Sequence, residues 1–171
     1  MTKKHWGLSI LVAVLALISG QVSQYLINKI NEKPPAISAF SFIDSTGKTR
    51  ASREWQNKIL VVNFWATWCA TCRTEMPVLM QLQRDYADKN VQFIGIAIED
   101  NAAVVMGYLK TLPLNYPILL GGDKALLLSK QWGNTQQIIP YTVIINSQGV
   151  IVHRQQGELS AEVFASVLHG L

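Results

Sequence analysis

From Ile59 to Trp65 the chain is apolar at every position except Asn63, and four residues beyond Trp65 a Cys-x-x-Cys pair opens an amphipathic segment. A run apolar at both odd and even positions has no side to show to water. It fits a strand buried on both faces, and such strands lie inside sheets that carry helices on each side. The segment that follows, Cys69 to Asp88, repeats its apolar residues at helical spacing: Met76, Leu79, Met80, Leu82 and Tyr86 form one stripe. Val91 to Ile98 then gives a second buried strand.

The rest of the chain completes that frame. Phe40 to Ile43, a turn at Asp44 to Gly47, and Lys48 to Ala51 predict a small hairpin. Ala102 to Leu112 and Lys124 to Trp132 are helical candidates, with Tyr116 to Leu120 a short strand between them. Tyr141 to Asn146 and Val150 to Gln155 flank Ser147-Gln148-Gly149 and predict a second hairpin. Ala161 to His169 closes the chain as an amphipathic helix. Strand, helix, strand, helix, antiparallel pair and helix make an α/β sandwich of three layers, with a mixed central sheet and helices on both faces.

The N-terminus has a different character. No residue from Trp6 to Asn28 is charged, and a helix of roughly 23 residues spans about 34 Å, enough for a bilayer. Lys3 and Lys4 precede it, so residues 1–5 are expected to stay in the cytoplasm and everything after Lys29 to lie outside. Residues 6–28 are thus expected to be a single-pass signal-anchor in the cytoplasmic membrane, and 29–37, with Pro34 and Pro35, a linker. A cleaved signal peptide is the alternative, because the most apolar part, Leu8 to Ile18, is short and Ser19, Gly20 and Ser23 are small. Either way the remainder, residues 38–171, is exported. About 140 residues remain, the size of one domain with one core.

Composition removes several classes of function. The net charge of +4 owes much to Lys3, Lys4 and Lys29, and no basic run interleaved with aromatics marks a nucleic-acid surface. The chain has two cysteines, too few for a disulfide framework or a four-cysteine zinc site. His5, His153 and His169 are scattered and suggest neither a triad nor a metal cluster.

The chemistry therefore rests on Cys69-Ala70-Thr71-Cys72. Placed after a buried strand and at the start of a helix, such a pair is a redox motif. Unpaired helix N–H groups and the helix dipole favour an anion there, so the Cys69 thiolate should be stabilised relative to a free thiol and serve as the attacking sulfur. Cys72, one turn on, can resolve a mixed disulfide by attacking Cys69. A metal site would need further ligands, and a staple closing so small a loop would constrain little. A non-catalytic copper-binding module using both cysteines as soft ligands stays as the alternative from another class.

The segment Asn63-Phe64-Trp65-Ala66-Thr67-Trp68-Cys69-Ala70-Thr71-Cys72-Arg73-Thr74-Glu75-Met76-Pro77 closely resembles the active-site segment of the TlpA/ResA-like branch of the thioredoxin superfamily. The likeness covers most of residues 38 to 171. It implies a thioredoxin-like fold and an exported, often membrane-anchored thiol-disulfide oxidoreductase, with the redox-active Cys69–Cys72 disulfide as its only redox group and no further cofactor or metal. A cis proline facing the cysteines is the family's other signature, matched by Pro140 in Ile138-Ile139-Pro140-Tyr141-Thr142-Val143. The resemblance makes Ile139 a substrate-contact position, because the backbone before that proline pairs with the bound strand.

Glu75 stands where many relatives carry a glutamate, three residues after Cys72 and able to share its helix face. It is expected to move the proton on or off Cys72, a carboxylate simply favourable near a helix N-terminus being the competing role. Asn63 replaces the buried aspartate of cytosolic thioredoxins. Trp68 is expected to border the exposed sulfur and touch substrate, Trp65 to be core, and Pro77 to kink the helix. Arg73 is either a source of positive potential or a solvated surface residue. Expected partners are exported protein thiols and disulfides and a transmembrane thiol electron donor, with the protein a monomer and reduction the favoured direction. A thiol peroxidase on the same fold does not fit, since the upstream proline and threonine it needs are Val62 and Ala66 here.

Overall fold

The computed structural model describes residues 20–24, 37–99 and 101–171. The chain divides into two compact units, Met1–Pro35 and Ala36–Leu171. Of the first, residues 20–24 are helical. The expected cytoplasmic segment 1–5, the anchor 6–28 apart from those five residues, and the linker 29–37 apart from Ile37 lie outside the described residues. Among the described residues no helix is long and apolar enough to cross a membrane.

The second unit contains β1 (Ser41–Asp44), β2 (Thr49–Ala51), β3 (Ile59–Trp65), α1 (Ala70–Tyr86), β4 (Val91–Ala97), α2 (Ala102–Thr111), β5 (Ile118–Leu120), α3 (Gly122–Gln131), β6 (Tyr141–Ile145), β7 (Ile151–Gln156) and α4 (Ala161–His169). Short 3-10 turns occupy Ser52–Trp55 and Ala87–Lys89. All seven strands join one sheet in the order β2-β1-β5-β4-β3-β6-β7. β3, β4 and β5 run parallel, whereas the β1–β2, β1–β5, β3–β6 and β6–β7 pairs are antiparallel. The sheet is therefore mixed, and the N-terminal hairpin extends it through β5.

β3 is an interior strand, between β4 and β6, and fills both layers by simple alternation. Val61 and Trp65 pack with Met76, Leu79 and Leu82 of α1, Val105 of α2 and Phe164 of α4. Leu60, Val62 and Phe64 pack on the other face with Ala125 and Leu128 of α3 and with Phe40, Phe42 and Trp55. Helices thus cover both faces, three on one and one on the other. Trp65 is fully buried, as expected of a core residue.

Several boundaries differ from the sequence pattern. α1 begins at Ala70, because Cys69 keeps an extended backbone and caps the helix instead of entering it. α3 starts two residues before Lys124, at Gly122, whose φ of 49° a glycine adopts without steric cost. Pro77 lies inside α1, which runs through it without a break.

Gly95 of β4 lies opposite Asn63 of β3. A Cβ there would come within 2.6 Å of Ile118 Cδ1 and 3.0 Å of Trp65 Nε1. Gly95→Ala is expected to overpack the layer beneath the site and destabilise the fold by about 1–3 kcal/mol. A lowered urea midpoint at unchanged slope would register this; an unchanged midpoint would contradict it.

Candidate active site

β3 delivers the chain to the C-terminal edge of the sheet, and Ala66-Thr67-Trp68 turns it into α1. Cys69 is the N-cap, with φ −81° and ψ 106°. Its Sγ accepts a hydrogen bond from the Cys72 N–H at 3.1 Å, the bond by which a capping side chain satisfies one of the unpaired amides of a first helical turn. The two cysteines are joined as a disulfide. Both cysteines are buried, Cys69 at 7% exposure and Cys72 at 0%, so Cys69 is the less deeply enclosed of the two. In the reduced protein the same amide and the helix dipole would favour a Cys69 thiolate over the neutral thiol.

Trp68, immediately before Cys69, is 67% exposed. Leaving an indole in water is costly in apolar area, and it places a flat apolar surface beside Cys69. The Ile139–Pro140 bond is cis. Pro140 is buried just before β6, and half-buried Ile139 packs against the cluster that contains Cys69 and Cys72. Among the described residues the backbone N–H and C=O of Ile139 make no hydrogen bond, whereas the Pro140 carbonyl accepts from Gly157 N at 2.9 Å. Arg73 is exposed.

Glu75 lies beneath the pair. It is 2% exposed, so the carboxylate is enclosed in the first turns of the helix and not set out in solvent. Its Oε1 accepts from Asn63 Nδ2 at 2.7 Å, and its Oε2 from the Leu159 backbone N–H at 3.0 Å. The Asn63 amide also donates to Thr142 Oγ1 at 2.9 Å, its partner in the β3–β6 register. Burial pushes the Glu75 carboxyl up to about 7, against the two N–H donors that favour its anion, and the negative charge of Glu158 adds to the rise. Cys72 and Glu75 are both among the buried residues of α1, but with the disulfide closed both carboxylate oxygens are held by Asn63 and Leu159.

Two contacts escaped the sequence pattern. Leu159 contributes through its backbone amide, which no side-chain motif reveals. Glu99, just past β4, accepts from the Thr67 N–H at 2.7 Å and from Thr67 Oγ1 at 2.6 Å. The β3–β4 register pairs Trp65 with Ala97, so Thr67 and Glu99 each lie two residues past a matched pair. That signal becomes visible only once the register is known.

Among the described residues no group of three or more His, Cys, Asp or Glu side chains could hold a metal ion, and the copper-binding alternative gains no support. The family profile described as Redoxin matches residues 29–168. The thiol-disulfide oxidoreductase ResA of Bacillus cereus is 27% identical over 157 residues, covering 88% of each chain. The thiol:disulfide interchange protein DsbE of Tatumella citrea is 33% identical, covering 77% of this chain and 68% of its own. The crystal structure of a thiol:disulfide interchange protein from Chlorobium tepidum superposes with a TM-score of 0.71 at 27% identity, over 82% of this chain and 97% of that one. The likeness thus extends well beyond the cysteine motif, across the whole thioredoxin-like α/β unit, and on that breadth the chain belongs to the Redoxin family, among its ResA- and DsbE-like thiol-disulfide oxidoreductases.

Proposed function

We propose that this enzyme exchanges disulfides with exported proteins in the reducing direction, held at the outer face of the cytoplasmic membrane by residues 6–28. The observation that carries the reading is the asymmetry of the pair: Cys69 caps the helix N-terminus and keeps a little exposure, whereas Cys72 lies fully buried inside the first turn.

In this reading the Cys69 thiolate attacks a substrate disulfide, forming a mixed disulfide and releasing one substrate thiolate, which takes up a proton. Cys72 gives its proton to Glu75 and attacks Cys69 Sγ. The second substrate thiolate leaves, and two electrons have passed from the cysteine pair to the substrate. A thiol donor in the membrane then restores the reduced pair. Trp68 offers the substrate an apolar surface, and the open backbone of Ile139 before Pro140 can pair with an extended substrate segment. Tethering would raise the effective concentration of donor and membrane-bound substrates. Maturation of c-type cytochromes, repair of misoxidised proteins and defence against oxidants all use this chemistry.

Cys72→Ala removes the resolving sulfur and is expected to accumulate the full-length protein as a mixed disulfide through Cys69, recovered from membranes under non-reducing conditions. Partners carrying exported domains would support the reading. An absence of any Cys69-linked species would sink it.

A further inference from the structure

We propose that Glu99 is a positioning residue for disulfide exchange, gripping the turn that presents Trp68 and Cys69. Nothing in the reaction sequence itself uses this carboxylate. It accepts two short hydrogen bonds, one on each oxygen, from the backbone N–H and the hydroxyl of a single residue, Thr67. A two-point grip fixes Thr67 in orientation as well as in place. Thr67 stands one residue before Trp68 and two before Cys69, on the stretch that links β3 to the cap of α1.

Ala66 is anchored in the core and Cys69 by its disulfide, but Thr67 and Trp68 between them have few other ties among the described residues. The Cys69 N–H bonds back to the Ala66 carbonyl at 3.2 Å, closing the turn on itself, and the Trp68 side chain projects into solvent. The Glu99 clamp ties this turn sideways to the neighbouring strand. Ile98 N–H also donates to the Trp65 carbonyl at 3.0 Å, so the parallel pairing of β3 and β4 continues past both strand ends and finishes in the clamp. Loosening it frees the segment whose exact pose sets the line of attack of Cys69 and the bond from Cys72 N–H to its sulfur. Exchange rates depend steeply on such alignment.

Glu99 also borders a cavity of about 440 Å³ that it shares with Leu120, Gly121 and Lys124. Truncating it leaves space continuous with that cavity instead of a sealed void, so variants are expected to fold. The inference rests on the oxidoreductase reading, and the measurements separate the two. With insulin as substrate and dithiothreitol as reductant, Glu99→Ala is expected to lower kcat/KM about tenfold and Glu99→Gln, which keeps one acceptor, about threefold. Thr67→Val, which loses the hydroxyl, should be slowed, and Thr67→Ser, which keeps both donors, should recover that loss. The Glu99→Ala/Thr67→Val double variant should be no slower than Glu99→Ala alone, as two halves of one contact require.

A purely structural role would leave the sulfur unchanged, so iodoacetamide alkylation of reduced Cys69 at pH 7 is the second readout. Both Glu99 variants remove the same charge, and a rate at least about threefold lower in Glu99→Ala than in Glu99→Gln isolates the grip. Folded Glu99→Ala with insulin reduction within about twofold of wild type would overturn the inference. So would equal alkylation in the two variants. If Glu99→Ala does not fold, the inference stands or falls on Thr67→Val against Thr67→Ser. Failure of the wild-type protein to reduce insulin would count against the oxidoreductase reading alone, since the alkylation comparison still tests the clamp.

Discussion

Cys69→Ser is expected to lower disulfide reduction by at least about 10³-fold, to the uncatalysed background, whereas Cys72→Ala retains the first half of the reaction. Both substitutions open the same disulfide, a loop of four residues worth about 2 kcal/mol in chain entropy. Loss of that cross-link therefore cannot distinguish them, and any difference belongs to the chemistry. Cys69 is the less buried of the two, at 7% exposure against 0%, and its sulfur alone receives the Cys72 N–H bond. With Cys69 replaced, the remaining sulfur is fully buried and cannot meet a protein disulfide. The check is the first-phase release of thionitrobenzoate from 5,5′-dithiobis(2-nitrobenzoate), present in Cys72→Ala and absent in Cys69→Ser. A burst of equal size in both would mean that the two sulfurs are interchangeable, which the geometry does not allow.

That asymmetry could be anticipated from the chain because it is built locally. A buried strand, a short turn and a helix start lie within about 30 residues, and each carries its own periodicity or capping signal. Cys69 itself shows where such reasoning slips by one residue: its apolar character continues the helical stripe, while its backbone is that of a cap. What could not be read is whatever depends on pairing between distant segments. The docking of β1 on β5, the opposition of Asn63 and Thr142, and the meeting of Thr67 with Glu99 all follow from strand register. The burial of Glu75 depends on the loop after β7 arriving with a free amide at Leu159. A glutamate three residues after a cysteine looks the same in sequence whether it faces water or the core. Only the tertiary packing converts it from a surface charge into a group that titrates near neutrality.

Stability of the oxidised protein is expected to fall as pH rises from about 4.5 to above 7, by roughly 3 kcal/mol, and Glu75→Gln should abolish most of that slope. In the unfolded chain Glu75 titrates at its ordinary 4.5; in the folded protein burial first, with Glu158 adding to it, holds the carboxyl at about 7. Between those values the folded state carries a proton that the unfolded state has lost. Rising pH therefore favours unfolding through this window, and below it the contribution to stability is fully present. Urea titrations at pH 5 and pH 8 measure the difference, with the disulfide closed so that neither cysteine titrates. Parallel losses in wild type and Glu75→Gln would show that the slope comes from other groups.

The same protonation equilibrium bears on exchange. To take a proton from Cys72, Glu75 must be ionised before the step and neutral after it, and a carboxyl near 7 has both forms available at physiological pH. Opening the disulfide leaves Cys72 buried with a thiol proton to lose, and the Glu75 oxygens are then the acidic acceptors on the same face of α1. Glu75→Gln is thus expected to leave the first thionitrobenzoate release fast and to slow the second, in which Cys72 resolves the mixed disulfide, by about 10²-fold. In the wild type the second phase should accelerate as pH rises through about 7, where the acceptor becomes ionised. A second phase that is equally fast in Glu75→Gln, with the same pH dependence, would assign the proton to solvent and leave Glu75 a purely structural acid.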